Sequence, residues 1–123
     1  MSLPGKARLI EVPTHSDARG TLFVAEQEDV LPFRPVRMFA ITAVPAGAHR
    51  AQHIVSCDQF LWMAAGSCMA LVKHEGGEGS VGLRHGGPGL YLPEGCWLDL
   101  WDFSPGSVMI VLAAGRYRVV PRG

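Results

Sequence analysis

The chain has 123 residues, enough for one domain, and we read it as a single unit over residues 1–123. Its 48% hydrophobic and 18% charged content excludes a disordered chain. The 11 basic side chains balance the 11 acidic ones, so the basic excess of a nucleic-acid binder is missing and no nucleic-acid partner is expected.

Short β-rich runs follow one another between turn residues, and Gly (15) and Pro (9) supply most of the punctuation. The predicted strands cover residues 7–12, 21–26, 36–44, 59–64, 67–73, 82–85, 89–92, 96–101 and 107–113. Residues 26–31 suit a single helical turn before Pro32. The apolar run from Met38 to Val44 reads as a strand buried on both faces. His74 to Ser80 reads as a Gly-rich hairpin loop. No stretch holds the period of a long helix. Many short strands at this spacing predict an all-β fold, a small antiparallel barrel or sandwich.

Cys57, Cys68 and Cys96 are odd in number, widely spaced and set among apolar neighbours. They read as small buried hydrophobes in a reducing compartment. No apolar run approaches the about 18 residues of a membrane span, and the start of the chain lacks the pattern of a signal peptide. A cytoplasmic protein with no membrane partner is expected. Zero net charge gives little repulsion between copies, which suits self-association.

The run from Gly89 to Tyr117 stands out. Trp97, Asp99, Trp101, Asp102, Phe103 and Ser104 set aromatics beside carboxylates in a polar turn between apolar runs. That mixture suits a pocket mouth, because an unpaired carboxylate in a core is costly. Of the five histidines, His15, His74 and His85 lie in or beside turns and read as solvated. His49 and His53 flank Arg50 between two strands, where a small barrel presents groups to its lumen.

Two chemistries compete for that pair. One is a divalent cation site of the cupin type. Here His49-x3-His53 replaces His-x-His, Asp58 stands near the usual Glu, and Gly66 closes the motif. In the second cupin motif, after Pro93 and Gly95, Leu98 stands where the ligand histidine belongs. The other chemistry is proton transfer along a sugar through an enediol. An imidazole, with an unperturbed pKa of about 6.5, both accepts and donates near neutral pH.

The chain resembles the nucleotide-sugar 3,4-ketoisomerases of the cupin superfamily, the WxcM-like group. Asp17-Ala18-Arg19-Gly20-Thr21-Leu22 is similar to an early D-x-R-G-x-L. Pro32-Phe33 with Val36-Arg37-Met38-Phe39 is similar to P-F-x-x-K-R-x-Y/F, and Ala46-Gly47-Ala48-His49 to R-G-x-H. Gln59 to Ser67 is similar to Q-x-L-x-x-x-x-G-S, and Gly89 to Pro93 to G-L-Y-I-P. Trp97 falls on a shared Trp, and Phe103 to Tyr117 is similar to the closing F-S-x-x-S-V motif with its Tyr.

The resemblance implies a cupin-like jelly roll (double-stranded β-helix) that forms a homodimer. It implies a cofactor-free, metal-free isomerase acting on a TDP-linked 4-keto-6-deoxy sugar. His49 and His53 are then the expected catalytic residues. Arg19, Arg37, Trp97, Asp99 and Trp101 are the expected substrate contacts. Ala51 stands in place of the second family histidine, Ala46 in place of the Arg and Phe39 in place of the Tyr. Those departures keep open a barrel that binds a nucleotide sugar or carbohydrate without turning it over. A metal-dependent cupin enzyme is the third reading.

Overall fold

The protein, seen in a computed structural model, is described over residues 3–117. Eleven strands make up this region: β1 (Arg8–Ile10), β2 (Thr14–Asp17), β3 (Gly20–Phe23), β4 (Arg37–Thr42), β5 (Arg50–Ile54), β6 (Gln59–Ala65), β7 (Ser67–His74), β8 (Gly77–Arg84), β9 (Gly89–Leu92), β10 (Trp97–Trp101) and β11 (Val108–Ala113). None of the described residues forms a helix long and apolar enough to cross a membrane. The segment before Pro32 is one isolated turn, in which Glu26 C=O accepts from Val30 N–H and Leu31 N–H at 2.9 Å.

Two antiparallel sheets face each other in a jelly roll. One has the order β1-β9-β6-β11-β4 and the other β5-β10-β7-β8, while β2 and β3 form a separate hairpin. Alternation decides which side chains meet between the sheets. Along β7, Cys68, Ala70 and Val72 are buried; along β11, Met109, Val111 and Ala113 are. They join Ile41, Leu61, Met63, Leu83, Leu98 and Leu100 in one core fed by both sheets. A smaller cluster of Leu31, Phe33 and Phe60, with Ile10, Val12 and Trp62, covers part of the outer face of the first sheet. All three cysteines are free and buried, as expected.

Four sequence expectations change. The loop read over 74–80 is mostly strand, because β7 and β8 pair from His74↔Gly77 to Ser67↔Arg84. Only Glu75 and Gly76 form the turn, both left-handed (φ 47° and 80°), which suits the twist of a two-residue hairpin. A Cβ on Gly77 would lie 3.2 Å from Pro4 Cβ, a tight contact that glycine avoids. Next, β4 is an edge strand with Ile41 alone buried and Met38 63% exposed. Its apolar run therefore does not mean burial on both faces within one chain. The strand predicted over 96–101 is there as Trp97–Trp101, so the polar turn read over 97–104 is confined to the residues after Trp101, beginning at Asp102 (φ 57°). Finally, β2 and β5 were missed because THSD and RAQHI carry no clean apolar alternation.

Candidate active site

A cleft of about 560 Å³ opens between the two sheets, within the size range of small-molecule sites. Its floor is apolar: Leu61, Val111, Leu98 and Leu100. Polar groups line its walls. Arg37 comes from β4, Gln59 from β6, and Arg50 and His53 from β5, while His49 sits just before β5.

The wall made by β5 is irregular. Its ladder with β10 pairs His53 with Leu98, then Ala51 with Asp99, then Arg50 with Leu100, so the register slips between Leu98 and Asp99. Ala51 and Gln52 take left-handed backbone, with φ of 69° and 56°. One extra residue in an edge strand has this effect, and it re-aims the side chains on either side. His53 thereby faces Leu98 across the ladder, on the cleft side of β10.

Asp99 lies on the opposite side of β10 and is only 7% exposed. A carboxylate so buried needs a partner. His49 supplies it, with Nδ1 at 2.9 and 3.0 Å from the two carboxylate oxygens. An ionised carboxylate only accepts, so Nδ1 carries the proton and Nε2 is left as the free nitrogen of the neutral ring. Trp101, also on that side, stacks on the His49 ring at 5.9 Å between centroids and 15° between planes. One contact fixes the tautomer and the other the ring plane, at the rim of the cleft.

Arg37 enters from the facing sheet. Its guanidinium lies over the rings of Phe39 (5.1 Å) and Tyr117 (5.7 Å). Its Nε is buried and has no hydrogen-bond partner among the described residues. Such a donor is costly to leave unmade, so the cleft presents a cation with unused hydrogen-bonding capacity.

The structure brings His49, His53 and Arg37 to one cleft, with Asp99 and Trp101 behind His49. It does not bring Arg19 or Trp97 there within a single chain. Arg19 is at the β2–β3 turn, bonded to Asp17 at 2.7 Å, with its side chain 90% exposed. That contact holds the Asp17 carboxyl below its usual range and raises the guanidinium. Trp97 lies on the far side of β10 under the Lys73 ammonium (4.8 Å) and borders a separate shallow cavity of about 320 Å³. The expectation of a mouth lined by both tryptophans is corrected by strand alternation. Trp97, Asp99 and Trp101 share one face of β10, and Leu98 and Leu100 the other.

Asp58, set near the acidic position of a cupin metal motif, is otherwise engaged. Its carboxylate accepts from Tyr91 O–H (3.1 Å) and Glu94 N–H (2.9 Å). Burial, followed by the charge of Asp58 and that hydrogen bond, pushes the Tyr91 phenol up. Among the described residues, no three or more His, Cys, Asp or Glu side chains are grouped to hold a metal ion. His85, read as solvated, packs edge-on against Phe23 and Trp62, with Nδ1 3.2 Å from the Met63 carbonyl.

Arg50, Gln59 and Tyr117 line the cleft but were not among the site residues expected from the sequence. Gln59 had a signal, being a polar residue at the head of an apolar strand that turns out 7% exposed. Arg50 had only its place between the two histidines.

The chain is 30% identical over 105 residues to the TDP-4-oxo-6-deoxy-alpha-D-glucose-3,4-oxoisomerase of Aneurinibacillus thermoaerophilus, covering 82% of this chain and 73% of that one. Its fold is similar to that of a doubly substituted QdtA 3,4-ketoisomerase from Thermoanaerobacterium thermosaccharolyticum in complex with TDP. There the TM-score is 0.86 and the identity 30%, over 93% of this chain and 83% of that one. A further variant of QdtA, in complex with TDP-4-keto-6-deoxyglucose, gives a TM-score of 0.86 and 28% identity over the same shares, 93% and 83%. Residues 5–120 match the family described as FdtA: WxcM-like, C-terminal, and the chain belongs to that family.

Proposed function

From that membership, we propose that the chain is a 3,4-ketoisomerase of a TDP-linked 4-keto-6-deoxyhexose, working by proton transfer between its own side chains and the sugar. The single observation that carries the reading is the His49 ring, held through Nδ1 by buried Asp99 with Nε2 free at the cleft. The curated relative and the QdtA complexes named above supply the substrate class.

The geometry suits the chemistry. A C–H bond beside a ketone is weakly acidic, so a base must be held against it. His49 takes the proton from C3, a C3=C4 double bond forms, and the carbonyl electrons move to O4. The O3 proton then passes to O4, C4 is protonated, and the ketone stands at C3 with a hydroxyl at C4. His53, facing the same cleft, is the second proton carrier. Arg37 anchors the diphosphate, whose oxygens match its unused donors. Trp101 holds the ring of His49 from behind.

A homodimer in the cytoplasm completes the reading. The β4 edge and its approach expose Val36 (58%) and Met38 (63%), and Leu22 of the β2–β3 hairpin is 59% exposed. Apolar strand edges of this kind pair with another chain. Sedimentation at tens of micromolar is expected to show twice the 13.3 kDa chain mass, and a species of 13.3 kDa alone contradicts it.

One observation favours a second reading, a barrel that binds the nucleotide sugar without isomerising it. Ala51 stands where the His-x-His pair of the family has its second imidazole. Incubation with TDP-4-keto-6-deoxyglucose in deuterated water decides between them. Deuterium at the carbon beside the ketone and a 3-keto product, followed by NMR, are expected. Binding without either outcome selects the second reading.

A further inference from the structure

The cleft face of β5 carries a cation beside its histidine. Arg50 pairs with Leu100 and His53 with Leu98, and paired residues of an antiparallel ladder share a face. All four line the cleft. In a regular strand, residues three apart point to opposite sides. Here the left-handed pair Ala51–Gln52 absorbs the extra residue, so Arg50 and His53 become neighbours on one face. Among the described residues no carboxylate pairs with Arg50, whereas Arg19 is held by Asp17. The bulge therefore puts a guanidinium with no carboxylate partner on the same cleft face as His53.

We propose that Arg50 is the electrostatic residue of the reaction, its guanidinium facing the sugar oxygen that becomes negative when the C3 proton leaves. This role rests on the ketoisomerase reading. As base takes the proton, the C4 carbonyl π electrons move to O4 and the charge there meets a fixed cation. Transfer of the O3 proton to O4 and protonation of C4 then give the neutral 3-ketone with a hydroxyl at C4, and no outside reductant or oxidant enters. A fixed cation placed where charge develops lowers the barrier without reorganising. Arg37 stands on the opposite wall, away from the histidine pair in sequence and sheet, and is the one suited to the diphosphate.

The test compares Arg50→Gln and Arg50→Lys with the parent chain, using TDP-4-keto-6-deoxyglucose for turnover and TDP alone for binding. Arg50 is exposed, so both variants are expected to keep the parent melting temperature. For Arg50→Gln, kcat should fall by roughly 10²–10³-fold, with TDP affinity within about threefold of the parent. Arg50→Lys, which keeps the charge without the fork, should recover part of the rate. A kcat loss below about threefold overturns the role, and so does a loss of TDP affinity that matches the loss of rate, since that marks a phosphate anchor. A parent chain that turns over no substrate is seen before any variant is made. That result defeats the ketoisomerase reading itself, and Arg50 falls with it.

Discussion

His49 and Asp99 are bonded across the edge of the sheet: the imidazole Nδ1 stands 2.9 Å from one oxygen of a carboxylate that is itself almost fully buried. The two residues are 50 positions apart in the chain. Nothing else in the described structure satisfies the Asp99 carboxylate, so the pair serves the fold as well as the proposed chemistry.

Asp99→Asn tests what the carboxylate does for the ring. An amide can donate to Nδ1 and so favour the tautomer with the proton on Nε2, which removes the base from the cleft. We expect kcat to fall by roughly 10²–10⁴-fold, while TDP affinity changes little. A variant with parent kcat shows that His49 is oriented by Trp101 alone.

The two histidines separate by solvent exchange. His49→Asn is expected to abolish deuterium incorporation beside the ketone. His53→Asn is expected to lower net turnover by about 10²-fold while leaving measurable exchange, since the second carrier acts after the first proton is removed. NMR of the recovered nucleotide sugar reads both. If His53→Asn abolishes exchange and His49→Asn leaves it, the roles are reversed.

Arg37→Ala should weaken TDP binding by about 10–100-fold, the value of one or two charge-assisted hydrogen bonds. The loss should shrink at high salt. Arg19→Ala should leave TDP affinity unchanged, because that guanidinium is bonded to Asp17 on an exposed turn. Titration calorimetry at two salt concentrations checks both.

Cys68 gives a pH dependence with a definite sign. Burial, with the charge of Asp102 adding to it, pushes this thiol up to about 12. In the unfolded chain it ionises at about 8.5. The native state keeps a proton that the unfolded state releases. The resulting stability is whole below the unfolded value and is lost as pH rises through the native one. Urea unfolding midpoints should therefore decline from pH 9 toward 12, and Cys68→Ala should flatten that decline. Native Cys68 should also resist iodoacetamide at pH 9, while the urea-unfolded chain is alkylated.

Much of the molecule was legible from residues alone. The runs at 67–73 and 107–113 were read as strands and are strands, each with alternate members buried, because a half-buried strand admits only a period of two. The cysteines read as core, and the motif order pointed to the family and the jelly roll. His49 and His53 were read as a site pair from residue type and place, and Arg37 was expected there from the family resemblance. What the residues could not reveal is which face each occupies. Trp97, Asp99 and Trp101 looked like one aromatic-acidic mouth, yet they share the side of β10 away from the cleft. A one-residue slip exchanges the two sides of a strand, and only pairing with its neighbours decides it. Likewise Ala51 read as a lost histidine. The left-handed bulge at Ala51 and Gln52, held in place by the ladder to β10, is what turns His53 and Arg50 to the cleft. Local sequence specified which groups are available. Long-range strand pairing specified which of them meet.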